Sequence, residues 1–279
     1  MKIEKYLETI PSLEGKKVLI TGPTSGIGLE LVDHLVKKDA HIVLLARNLN
    51  KINSVMEKYN ETKMDYILFD QSDYESIDKA VKEIKEKHSD YYALVCNAGT
   101  LFPRKGSLSK QGNPLTLETN FIGLYHFLEQ LVPLYQNKRY VLQGSLASDL
   151  SNPKKKSIYD NNLKLFTQYN ISKAGVESLF YHYSEINNDN IFILAEPGIT
   201  STALFNGFKQ PIRSIGKGFI KIFSHSPRKA SLTLLKGLIE STPNKSFIVP
   251  RGLFTISGYP KIKRFPKKRI RGYLVNQLR

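Results

Sequence analysis

The chain has one cysteine in 279 residues, Cys96, so no internal disulfide framework holds it together, and this is compatible with a reducing compartment. Cys96 closes the apolar run Ala93-Leu94-Val95-Cys96 and reads as a small buried side chain, not a nucleophile. No apolar run approaches a membrane span, and Met1-Lys2-Ile3-Glu4-Lys5-Tyr6 lacks the apolar stretch of a secretory signal. The expected location is cytoplasmic. Internal repeats and composition breaks are also missing, which points to one domain over residues 1–279, and no metal site is expected. Acidic residues are absent from 241–279, where ten Lys or Arg fall, in a chain of net charge +16. Such a basic end leaves open a solvated tail, an anionic membrane surface, nucleic acid or an acidic partner. Aromatics and prolines among the charges (Phe254, Tyr259, Pro260, Phe265, Pro266, Tyr273) favour packing onto the body or a surface. No nucleic-acid module is present, so the expectation for the extension at 251–279 is at most a weak, peripheral membrane contact.

What is present begins at residue 17. The strand-like Val18-Leu19-Ile20 runs into Thr21-Gly22-Pro23-Thr24-Ser25-Gly26-Ile27-Gly28. Leu29, Leu31, Val32, Leu35 and Val36 then form the apolar face of a helix. Glycines between a buried strand and a helix N-terminus leave room for a diphosphate where free N–H groups and the helix dipole favour negative charge. The order strand, glycine turn, amphipathic helix announces a dinucleotide-binding βαβ unit.

Apolar runs recur downstream with helical patterns between them. Strands are expected near 17–21, 41–46, 65–69, 91–96, 139–143, 191–195 and 246–249. Helices are expected near 26–38, 49–60, 73–88, 113–136, 168–187 and 227–240. This alternation predicts an α/β fold: a doubly wound parallel sheet of about seven strands with helices on both faces. Segments 146–166 and 199–226 do not fit the alternation and are candidates for substrate-facing structure.

The second expected strand ends Leu44-Leu45-Ala46-Arg47-Asn48, with no acid to hold adenosine ribose hydroxyls. Arg47 stands where a 2′-phosphate would lie, and a guanidinium fork suits phosphate. The expected cofactor is NADP(H) in preference to NAD(H). Asp70 follows the third strand, where a carboxylate can meet an adenine amino group, and Asn97-Ala98-Gly99 follows the fourth. Each alone also reads as turn chemistry.

Tyr169 and Lys173 stand four apart, on one helical face, where an ammonium lowers a phenol's pKa toward working pH. The same spacing occurs at Tyr59/Lys63 and Tyr259/Lys263, and 15 tyrosines in a lysine-rich chain give such pairs by chance. Position separates them. Tyr59/Lys63 leaves a helix for a strand, Tyr259/Lys263 contains Pro260, and only Tyr169/Lys173 opens a long apolar-faced helix after a strand ending Gly144-Ser145.

Taken in order, these motifs resemble a single-domain short-chain dehydrogenase/reductase with a Rossmann-type fold. The matching residues are Thr21 to Gly28, Asn97-Ala98-Gly99, Asn120 in Thr119-Asn120-Phe121-Ile122-Gly123, Ser145 in Gly144-Ser145-Leu146-Ala147-Ser148, Tyr169 with Lys173, and Pro197-Gly198. The resemblance covers residues 14 to about 200 well and the remainder poorly. It implies that Tyr169 exchanges a proton with the substrate oxygen and Ser145 positions that oxygen. Lys173 would depress the tyrosine pKa and grip the nicotinamide ribose, and Asn120 would anchor a water linking the lysine to solvent. It implies cofactor contacts at Gly22, Thr24, Ser25, Gly26, Ile27, Gly28, Arg47, Asp70, Asn97, Ala98, Gly99, Tyr169, Lys173, Pro197, Gly198 and Thr200.

Ser145 and Tyr169 lie 24 positions apart, about twice the commonest family spacing, which resembles the retinol dehydrogenase and protochlorophyllide reductase branch. Residues 199–226 would form a substrate lid, and its Leu, Ile and Phe content favours an apolar carbonyl or alcohol. The same residues could equally pack as a helix pair or an interface. The resemblance also implies a homodimer or homotetramer through the helices carrying Asn120 and Tyr169. The expected activity is interconversion of a carbonyl and an alcohol. Reduction of an activated C=C bond, or a non-catalytic dinucleotide-binding regulator or membrane-surface protein on the same fold, are the rivals.

Overall fold

The computed structural model describes residues 2–59, 63–101, 103–151, 158–200, 225–252, 255–266 and 273–278. A short helix α1 (Ile3–Glu8) precedes β1 (Lys17–Thr21), α2 (Gly26–Val36), β2 (His41–Ala46), α3 (Leu49–Lys58), β3 (Met64–Leu68), α4 (Tyr74–Lys87) and β4 (Ala93–Cys96). The second half runs α5 (Leu115–Leu117), α6 (Gly123–Leu131), β5 (Arg139–Gln143), α7 (Leu165–Ile186) and β6 (Ile191–Ala195). It closes with α8 (Pro227–Ala230), α9 (Leu232–Gly237), β7 (Ser246–Pro250), β8 (Pro260–Lys263) and α10 (Tyr273–Asn276).

The strands form one sheet in the order β3-β2-β1-β4-β5-β6-β7-β8, parallel except for the last pair. Strands covered on both faces need apolar side chains on both, which is why β2 and β4 read as unbroken hydrophobic runs. Alternate residues feed two cores: Leu19 and Leu94 join the cluster under α4, α6 and α7, while Val18, Ile20, Ala93 and Val95 face α1, α2, α3 and α9. The chain reverses its direction of winding between β1 and β4, so the carboxyl ends of these strands open a crevice.

The expected α/β class holds, with eight strands where about seven were expected. The eighth, β8, is four residues long, starts at Pro260 and alternates Lys with Ile, so it carries no hydrophobic run. The helix expected over 113–136 is broken. A π-turn over Glu118–Ile122 separates α5 from α6, and Val132–Leu134 tightens into a 3-10 turn at Pro133. The expected 227–240 helix likewise splits into α8 and α9. The basic C-terminal segment packs on the body: Phe265 meets the rings of Phe180 and Phe247, and Leu274 and Val275 are fully buried beside α7. Of segment 199–226, only the ends lie within the described residues; Thr200 and His225 pair there as a bridge.

Candidate active site

A cleft of about 650 Å³ opens at the carboxyl end of the sheet. One end is the glycine turn. Gly22 has φ +66°, and a Cβ on it would lie 2.9 Å from Ala98 Cα. A Cβ on Gly28 would lie 2.2 Å from the Gly22 carbonyl oxygen, so only glycine lets α2 start this close to β1. Thr21, which the sequence reading gave only as the first residue of the motif and with no role of its own, locks the turn: its hydroxyl accepts from the amides of Asn97 (3.1 Å) and Ala98 (2.9 Å). Asn97 Nδ2 donates to the carbonyls of Thr21 and Gly22, 2.9 Å each. The Asn97 side chain is therefore spent on holding the turn.

This end fits the diphosphate of a dinucleotide. Ser25 caps α2 without a side-chain hydrogen bond and the first turn carries no acid, so its N–H groups face the cleft uncompensated. A Cβ on Gly26 would meet nothing within 4 Å, which marks open space above the turn.

Arg47 and Asp70 line one extremity. Burial pushes the Asp70 carboxyl up, but hydrogen bonds from the Ser72 hydroxyl and amide, and then Arg47, win and hold it below the usual range. Arg47 is 71% exposed and 3.5 Å from Asp70, so that pair is weak and its guanidinium can exchange partners. Asn48 and Lys51, unmarked in the sequence reading, line the same extremity. Asn48 Oδ1 accepts from the Lys51 amide and caps α3, placing Lys51 one turn from Arg47.

At the other extremity the 3-10 turn Leu146–Leu150 and α7 bring Ser145 and Tyr169 together, and the two hydroxyls are hydrogen-bonded. Ser145 also accepts from the Ala147 amide at 3.2 Å, which fixes its rotamer. Lys173, one turn on, is 5% exposed and donates to the Gln143 carbonyl at 3.1 Å. Burial pulls its ammonium down to about 8, with Glu196 acting in the opposite direction. The sequence spacing predicts a lowered Tyr169, and the structure reverses that sign. Burial pushes the phenol up, and only the Ser145 hydrogen bond pulls it back.

Asn120 sits in the π-turn behind Lys173. Its Oδ1 accepts from the Thr100 amide at 2.7 Å, and its Nδ2 donates to the Thr100 carbonyl and the Ser172 hydroxyl. A Cβ on Gly99 would lie 3.2 Å from Asn120 Oδ1 and 3.9 Å from Lys173 Nζ, so this glycine lets both groups approach the cleft floor. Pro197, Gly198 and Thr200 line the wall beyond β6, and the buried His225 donates from Nε2 to the Pro197 carbonyl at 2.5 Å. The structure thus brings every sequence-predicted residue to the cleft wall except Asn120 and Lys173, which stand immediately behind it. Leu101, Leu115, Leu146, Leu150, Phe166 and Ile199 give the Ser145–Tyr169 end an apolar lining. Among the described residues no cluster of His, Cys, Asp or Glu could hold a metal ion.

The family model for short chain dehydrogenase matches residues 16–212. The chain is 28% identical over 266 residues to Short-chain dehydrogenase/reductase pkfC of Emericella nidulans, covering 85% of this chain and 84% of that one. It is 24% identical over 250 residues to polyprenol dehydrogenase of Danio rerio, covering 82% and 75%. An uncharacterized protein from Mycobacterium Paratuberculosis shares the fold, with a TM-score of 0.74 at 18% identity over 98% of this chain and 93% of that one. With a glycine turn, a Ser–Tyr–Lys floor and a family match over most of its length, the chain belongs to the short-chain dehydrogenase/reductase family, enzymes that act on CH–OH groups with a nicotinamide dinucleotide.

Proposed function

We propose that this chain is an NADP(H)-dependent oxidoreductase interconverting a carbonyl and an alcohol on an apolar small molecule. The observation that carries the reading is the hydrogen-bonded Ser145–Tyr169 pair above the buried Lys173, in one cleft with the glycine turn. The bound dinucleotide supplies or accepts the hydride. Ser145 holds the substrate oxygen beside the Tyr169 hydroxyl. Tyr169, kept protonated by burial, gives its proton to that oxygen as it gains negative charge. The resulting phenolate is stabilised by the Ser145 hydroxyl and by the Lys173 ammonium one turn away. A phenol held above its usual range rests in the protonated form, which is the form from which reduction starts.

The apolar lining supports an apolar substrate, as does a relative named for a polyprenol. The basic extremity supports the 2′-phosphate preference: Arg47 and Lys51 converge there, and β2 is followed by no acid. The resemblance suggests a homodimer or homotetramer through the helices carrying Asn120 and Tyr169; residues 170–180 of α7 are already buried within one chain, partly against α10, which counts against that stretch as the contact. Peripheral membrane contact stays a reading of the basic sequence; no helix among the described residues is long and apolar enough to cross a membrane.

Two measurements test this. NADPH consumption against a panel of apolar aldehydes and ketones should reveal turnover; none anywhere in the panel, with NADPH bound, would count against carbonyl reduction. Arg47→Asp should weaken NADPH binding by about 10- to 100-fold and leave NADH binding within about threefold. Equal loss for the two dinucleotides would contradict the assignment of Arg47.

A further inference from the structure

Glu196 is the residue after β6, wholly buried, and the proposed chemistry gives it no task. Its amide donates to the Ile248 carbonyl at 2.8 Å, and the Gly144 amide donates to the Ala195 carbonyl at 3.0 Å. The backbone at Glu196 is thereby pinned between the ends of β5 and β7. A Cβ on Gly144 would lie 3.1 Å from Glu196 Cγ, so the acidic side chain runs across Gly144 toward β5. Lys173 reaches the same place from α7, its Nζ donating to the carbonyl of Gln143. A carboxyl side chain and an ammonium, both buried, thus converge on the dipeptide Gln143–Gly144.

We propose that Glu196 is a positioning residue that keeps Lys173 charged at the floor of the cleft. Taking an ammonium out of water favours its neutral form, and a buried carboxylate nearby opposes that. Tyr169, one turn earlier, is held neutral, and Glu177, one turn later, turns its carboxylate to the Ser148 hydroxyl. Glu196 is the charged group that acts on Lys173 among the described residues. Without it the lysine would be neutral over more of the working pH range, and both the ribose grip and the stabilisation of a Tyr169 phenolate would weaken.

The inference rests on the reading of Lys173 as a cofactor-holding residue, and the test separates the two. NADPH binding by the full chain is followed by fluorescence from about pH 6 to about pH 10 for wild type, Glu196→Gln and Glu196→Asp, with thermal melting as a fold control. The wild type should lose affinity as pH rises through the region near 8. Glu196→Gln should move that midpoint to lower pH by roughly one unit, about tenfold in the charged fraction. Glu196→Asp, which keeps the charge but withdraws it by one methylene, should fall between. If Glu196→Gln does not fold, the Asp variant alone decides, by a smaller shift of the same sign. A variant that weakens binding equally at every pH, or leaves the midpoint in place, overturns the role of Glu196. A wild type with no alkaline limb overturns the reading of Lys173 itself.

Discussion

Tyr169→Phe is expected to lower kcat by about 10²- to 10⁴-fold while NADPH binds within about threefold of wild type. Phe fills the same space, so α7 and the cleft wall remain, and the loss isolates the hydroxyl. Among the described residues that line the cleft, the phenol is the ionisable group hydrogen-bonded to Ser145, and burial keeps its proton on at neutral pH. Burial sets that proton's availability and also sets the pH limit. Lys173, drawn down to about 8, is charged below that value and neutral above it. Wild-type turnover should therefore be level on the acid side and fall as pH rises past about 8, well below the range where an ordinary lysine titrates. Steady-state rates across pH with both proteins check the pair of statements. A Phe variant retaining a tenth or more of the wild-type kcat would remove Tyr169 from the chemistry.

Gly28→Ala should abolish cofactor binding for a reason that is purely steric. The added methyl would stand 2.2 Å from the Gly22 carbonyl oxygen and 2.6 Å from Asn97 Nδ2. Neither can yield cheaply. The carbonyl is backbone in a left-handed turn, and Asn97 Nδ2 is committed to the carbonyls of Thr21 and Gly22. Accommodating the methyl must push α2 away from β1 and spread the N–H cradle. A cost of about 2–4 kcal/mol in urea unfolding is expected, with NADPH affinity down by about 100-fold or more. Titration calorimetry and urea melts measure the two effects. Binding within about twofold of wild type would mean that the glycine turn is not where the diphosphate sits.

The legible parts of the fold were those whose burial leaves a mark on composition. β1, β2, β4, β5 and β6 are covered on both faces, and their hydrophobic runs located them to within two residues. Tyr169 stood out from two other Tyr-x-x-x-Lys pairs because only it opened a long helix beyond a strand. β8 left no mark, since an edge strand needs no apolar run and Lys on an edge discourages pairing with other chains. The π-turn at Asn120 leaves no local mark, and the glycine that follows it answers to a distant part of the chain. A Cβ on Gly123 would lie 1.9 Å from the Gln71 carbonyl oxygen, a contact no local pattern announces. The sign of the Tyr169 shift was missed for a related reason: spacing reveals a neighbouring ammonium but not the burial that outweighs it. Glu196 was invisible on the same grounds, because an acid before Pro-Gly reads as the exposed start of a turn while here it is fully covered.

The most direct measurement follows the hydrogen itself. NADPH carrying deuterium at both C4 positions of the nicotinamide, incubated with an apolar aldehyde or ketone that the wild type turns over, should yield an alcohol with one deuterium on its carbinol carbon. The label should be absent from the product mixture made with Tyr169→Phe in the same time. An alcohol formed without the label, or, with an α,β-unsaturated substrate, label found on the carbon β to an intact carbonyl, would contradict direct reduction of the carbonyl at the Ser145–Tyr169 floor.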